Sequence, residues 1–145
     1  MRVHAPAAPA AAERKRSCNE GAILMTPIEA YKAIIDELAD EVRHMGGSSN
    51  ITSLGLYSKA PDHQAFNEFI ATQTDQQKRL LSQMLLDERH SAIHDVLACL
   101  TWWIECKNVG ITLNGNPMPV DISGMGLHGD YVGRIDGWEW TDDAE

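Results

Sequence analysis

The stretch of the chain richest in groups that could do chemistry is Asp87-Glu88-Arg89-His90-Ser91-Ala92-Ile93-His94-Asp95. On a helix, His90 and His94 are neighbours on one face, and Asp87, one turn before His90, joins them. Imidazoles and a carboxylate so grouped make half of a divalent-metal site. The missing ligands would come from a second element, and His128 and Asp130 in Gly126-Leu127-His128-Gly129-Asp130 would be the nearest by type if that segment folded back.

Asp87, His90, His94 and His128 are therefore the candidate metal ligands, and a small metal-dependent hydrolase is the enzymatic reading. The spacing contains neither H-E-x-x-H nor a paired E-x-x-H. The plainer alternative is a histidine pair that is solvated or hydrogen-bonded to the C-terminal segment, with no cofactor, and it is the one preferred here.

Other reactive groups offer less. Cys99 and Cys106 lie seven residues apart in the same helical run, roughly 10 Å along its axis at about 1.5 Å per residue, beyond disulfide reach. With Cys18 they make an odd count without C-x-x-C spacing, which fits reduced thiols in a cytoplasm better than a disulfide framework or a zinc ribbon. Neither helical cysteine shares a face with a histidine that could activate it. Gly124, Gly126, Gly129 and Gly133 are too scattered for a phosphate loop and read as turns. Trp138 and Trp140, beside an acidic tail, could cover a groove or form a contact surface.

The formal charge is −9. Arg2, Arg14, Lys15 and Arg16 outweigh Glu13 and Glu20 by two in residues 1–25, leaving −11 for the remainder. Such a surface argues against nucleic-acid binding and favours a protein partner with a basic surface. No run approaches the ~20 apolar residues of a membrane span.

The elements that must position these groups follow from periodicity. Thr26-Pro27-Ile28-Glu29 is a capping box with proline at the first helical position, opening a helix over about 27–45 whose stripe is Ile28, Tyr31, Ile34, Ile35, Leu38, Val42 and Met45. Residues 48–60 read as a loop, and a short helix from Pro61 ends near Thr72. Thr74-Asp75-Gln76-Gln77 is a second capping box, starting a helical run to about Lys107. The apolar face of its second half is rotated about a quarter-turn from that of the first, which predicts a bend or break near Asp87–His90. Arg89 falls inside an apolar stripe and should be paired with a carboxylate.

Beyond Asn108 the helical period fades, with turn signals at Asn114-Gly115 and Asp136-Gly137. The fold class is mainly α: a small bundle of three to four helices with an irregular C-terminal segment that has room for a short β-hairpin. One domain is expected over 26–145. Residues 1–25, Ala/Pro-rich and aperiodic, read as a disordered tail rather than a secretory signal, with Met25 an alternative start.

Glu88-Arg89, Ala92-Ile93-His94-Asp95-Val96-Leu97, Gly110-Ile111-Thr112-Leu113-Asn114-Gly115, Asp130-Tyr131-Val132-Gly133-Arg134 and Trp138-Glu139-Trp140 together resemble a family of small bacterial proteins sharing a domain of unknown function, over roughly 27–142. The resemblance implies a helical domain with a C-terminal appendage and brings no activity, cofactor or partner. It marks Glu88, Arg89, His94, Asp95, Asp130 and Arg134 as the polar cluster to test first. His94 and Asp95 on the long helix, with Asp130 and Arg134 after it, could form a clasp that fixes the C-terminal segment. The functional expectation is a non-catalytic protein-binding or regulatory module, through a partner or a homo-oligomer.

Overall fold

The computed structural model describes residues 25–140; the Ala/Pro tail expected at 1–25, all but Met25, and Cys18 lie outside them. The first helix, α1 (Pro27–Asp40), starts where the capping box requires. The Thr26 amide donates to Glu29 Oε2 at 2.7 Å and the Glu29 amide to Thr26 Oγ1 at 3.2 Å. The Thr26 amide, and then the Thr26 hydroxyl donating to the same oxygen at 2.9 Å, hold the exposed Glu29 carboxyl below its ordinary pKa.

Instead of running to 45, α1 stops at Asp40 and is followed by a 3-10 turn, Val42–His44. Asp36, Glu37, Asp40 and Glu41 crowd the end of the helix with no base in its last turn, and negative charge opposes the macrodipole there.

Gly46, at φ +85°, turns the chain into α2 (Gly47–Leu54), a helix where a loop was expected. Its Ser- and Asn-rich sequence has weak helix propensity, and packing supplies what propensity lacks. Ile51 is buried, and Ser82 Oγ donates to the Ser48 carbonyl at 2.7 Å. A second 3-10 turn, Pro61–His63, leads into α3 (Gln64–Ala71). Asn67 ties the loop before it, accepting from the Tyr57 amide and donating to the Ser58 carbonyl, both at 2.7 Å.

The second capping box opens α4 (Asp75–Lys107), which continues unbroken through Asp87–His90. No break is needed, because the two halves of the helix are held by different partners. The first half packs on α2, and the second on α5 (Gly126–Ile135). Between α4 and α5, β1 (Thr112–Leu113) and β2 (Asn116–Pro117) form an antiparallel hairpin about Asn114-Gly115, both at positive φ, as the sequence suggested.

Among the described residues five helices are present where three to four were expected. In place of turns or a second hairpin, Tyr131–Ile135 belong to α5, and Asp136-Gly137 is its stop, with the Trp138 amide donating to the Gly133 carbonyl at 2.9 Å. Three glycines disguise this helix. Leu127 and Tyr131, one turn apart, drive it by joining Tyr31, Ile35, Ala39 and Leu97 in the core between α1, α4 and α5. Among the described residues no helix is long and apolar enough to cross a membrane.

Candidate functional site

Of the polar residues singled out in the sequence, Asp130 and Arg134 lie on α5 and fasten it through partners that spacing could not reveal. Asp130 is wholly buried and its Oδ2 accepts a hydrogen bond from the Tyr31 hydroxyl of α1. Its Oδ1 is buried without a hydrogen-bond partner among the described residues. Burial, then the bond to Asp130, pushes the Tyr31 phenol above its ordinary range. Next along α5, Tyr131 is equally buried, and its hydroxyl lies 3.2 Å from His90 Nδ1 while the two rings stack at 5.4 Å. Burial raises this phenol too, opposed by the nearby Arg43 charge.

At the N-terminal end of α5, Thr101 is the fastening. Its hydroxyl donates to the Leu97 carbonyl at 2.9 Å and accepts from the Leu127 amide at 3.1 Å. His128 Nδ1 lies 3.3 Å from the same oxygen. Because the Thr101 proton is already committed to Leu97, His128 meets an acceptor there, not a nucleophile awaiting a base. A side chain on residue 126 would strike the threonine, since a Cβ there would fall 2.5 Å from Thr101 Cγ2. Glycine at φ +71° is what lets the two elements touch.

At the other end, Arg134 Nε donates to Asp36 Oδ1 at 2.6 Å and a second nitrogen donates to the Trp138 carbonyl. Trp140 Nε1 also donates to Asp36, at 3.1 and 3.2 Å, and its ring lies edge-on to Tyr31 at 6.1 Å and beneath the Arg134 guanidinium at 5.5 Å. Trp138 and Trp140, expected as a groove cover or contact surface, are half-buried against the helices.

The clasp foreseen between His94-Asp95 on α4 and Asp130 and Arg134 does not form in that pairing. Asp130 and Arg134 reach α1, through Tyr31 and Asp36, and not His94 or Asp95. His94 Nδ1 sits 3.2 Å from its own neighbour Asp95, whose side chain is 80% exposed. The His94 ring meets His128 edge-on at 5.4 Å. Glu88 lies exposed on α4, apart from the clasp. Among the described residues Arg89 does not find the expected carboxylate: it donates to the Val42 carbonyl at 3.1 Å, at the 3-10 turn. Asp87 is exposed and accepts from Gln83 at 2.7 Å. Among the described residues no three His, Cys, Asp or Glu side chains are grouped to hold a metal ion.

Tyr31, Asp36, Thr101 and Tyr131 were not singled out. Tyr31 reads as one more member of an apolar stripe, and nothing local links it to a carboxylate 99 positions away.

None of the clasp residues lines the apolar pocket at the other end of α4. That pocket, about 290 Å3, lies between α2, α3 and the first half of α4, with Ile51, Tyr57, Phe66, Phe69, Leu81 and Leu85 among its walls. Phe66 and Phe69 are each 56% exposed at its rim. Tyr57 packs edge-on against Phe66 at 5.5 Å and against His63 at 5.1 Å.

Comparison with known proteins agrees with the resemblance seen in the sequence. Residues 25–142 match a family of unknown function, DUF6547. The chain belongs to that family. No curated protein and no solved structure matches it. For a DUF6547 member, the tail to residue 24 stands outside the shared domain, and the C-terminal helix with its clasp stands inside it.

Proposed function

We propose that this DUF6547 domain is a non-catalytic protein-binding module whose pocket between α2, α3 and α4 receives an apolar side chain of a partner protein. The observation that carries this reading is the pair of phenylalanines, Phe66 and Phe69, more than half exposed at the rim of an apolar pocket of about 290 Å3. Folded domains seldom leave neighbouring aromatic rings in water beside an apolar recess, and interface anchors are aromatic or aliphatic groups seated in such recesses. The titratable groups argue in the same direction. Asp130, Tyr31 and Tyr131 are buried beyond substrate reach, and Arg134 is tied to Asp36, so the clasp organises the fold. The net charge of −9 favours a partner whose contact surface is basic around its apolar anchor.

The test is photo-crosslinking in the native cell with a benzophenone side chain at position 66. A discrete protein adduct that disappears on Phe69→Asp is expected. Adducts no more abundant than those from the same probe at Glu37, on α1, would reject the pocket as the binding surface.

A further inference from the structure

We propose that two copies of this chain associate through the second half of α4, packed antiparallel about a two-fold axis. In its first half, the α4 face carrying Ser82, Leu85 and Arg89 is covered. Ser82 bonds the Ser48 carbonyl, a Cβ on Gly47 would lie 3.3 Å from Leu85, and Arg89 donates to the Val42 carbonyl. At about 100° per residue, Ala92, Val96, Cys99, Leu100 and Trp103 continue that face toward the C-terminus. There the cover ends: Val96 is 60%, Trp103 47% and Leu100 41% exposed, and Ala92 and Cys99 are exposed beside them. The α5 helix does not compete for it, because Leu97 and Thr101, which meet α5, are on a different side of α4.

The spacing of Ala92, Val96, Cys99 and Trp103 is four, three, four, the repeat of a knobs-into-holes seam. It is also self-complementary. Ala92 and Trp103 stand equally far on either side of a midpoint between Val96 and Cys99, so an antiparallel two-fold sets each indole over the second copy's alanine and each valine against the second copy's cysteine. That is the isologous condition for a closed pair. A parallel pair would instead oppose indole to indole and leave a gap between alanines, and it would align the helix dipoles unfavourably.

The area suits a weak, reversible pair. With Trp102, 48% exposed at the flank, the uncovered apolar surface is roughly 400 Å2 per copy, taking an exposed half of each large side chain as about 100 Å2. A polar rim of Asp95 and Lys107 adds to this, toward the ~800 Å2 per partner of a specific interface. The seam carries no charge, which is what two chains of formal charge −9 need in order to meet.

Sedimentation of the full chain from about 1 to about 100 µM tests this, with a dissociation constant on the order of 10 µM expected. Val96→Glu, at an exposed position, should raise that constant at least about tenfold with unchanged circular dichroism. Should that variant fail to fold, Ala92→Glu is read in its place. Phe69→Glu, in the pocket, should leave the dimer intact, which separates this interface from the proposed partner site. A monomer up to about 100 µM, a dimer indifferent to the seam substitution, or a dimer abolished by Phe69→Glu would each overturn it.

Discussion

Tyr31→Phe removes one hydroxyl from the centre of the clasp, and its cost follows from what is left behind. Asp130 is wholly buried, with Oδ1 unpartnered among the described residues, so the lost phenol takes away the hydrogen bond to Oδ2 and replaces it with nothing. Stranding a buried acceptor that can carry charge costs about 2–4 kcal/mol. For a domain of this size that lowers Tm by roughly 10 °C. Asp130→Asn keeps the shape and an oxygen for Tyr31 while removing the charge, and should cost only about 1 kcal/mol.

In the double variant the two effects should not add, with a coupling of at least about 1 kcal/mol. Urea denaturation followed by tryptophan fluorescence reads both, since Trp140 lies against Tyr31. The pH dependence has a definite sign. A phenol with a raised folded-state pKa contributes stability that is present below its ordinary value of 10.0 and is lost as pH rises beyond it. The alkaline fall in stability should therefore be shallower in Tyr31→Phe, the remainder coming from Tyr131. A loss below about 0.5 kcal/mol in Tyr31→Phe, or strict additivity with Asp130→Asn, would refute the reasoning.

Arg134→Ala should cost about 1–2 kcal/mol in the same urea assay, because Asp36 loses a part-buried partner and the Trp138 carbonyl its donor. Arg134→Lys should recover less than half, since an ammonium cannot serve both acceptors as a fork does. Gly124 and Gly126 share positive φ but only Gly126 faces a wall. Gly124→Ala should cost about 1 kcal/mol of backbone strain and Gly126→Ala clearly more, seen as a larger fall in melting temperature. Melts of wild type and His94→Ala with Zn2+, Mn2+ or Ni2+ should show no metal-dependent stabilisation. A rise of several degrees that disappears in His94→Ala would revive the metal site on Asp87, His90, His94 and His128.

The candidate site was legible in its residues and opaque in its pairings. Asp130 and Arg134 could be picked out as polar residues in a shared pattern, yet each reaches a group almost a hundred positions earlier, Tyr31 and Asp36. Hydrogen-bonding type limits which partners are chemically possible; only chain topology selects among them. Arg89 shows the same limit: the need for compensation was foreseeable, and a backbone carbonyl meets it as well as a carboxylate would.

What the sequence determined by itself is the local part of the fold. Both capping boxes, the apolar stripe of α1, the full run of α4 and the Asn114-Gly115 hairpin turn all depend on residues within a few positions of one another. Tertiary structure decided α2 and α5, whose Ser-, Asn- and Gly-rich sequences are poor helix formers in isolation. Each becomes a helix because burial of Ile51, or of Leu127 and Tyr131, outweighs that propensity. The same packing decided that α4 need not break, since its two halves are held by different neighbours, and it left part of each apolar face and the pocket rim open to solvent.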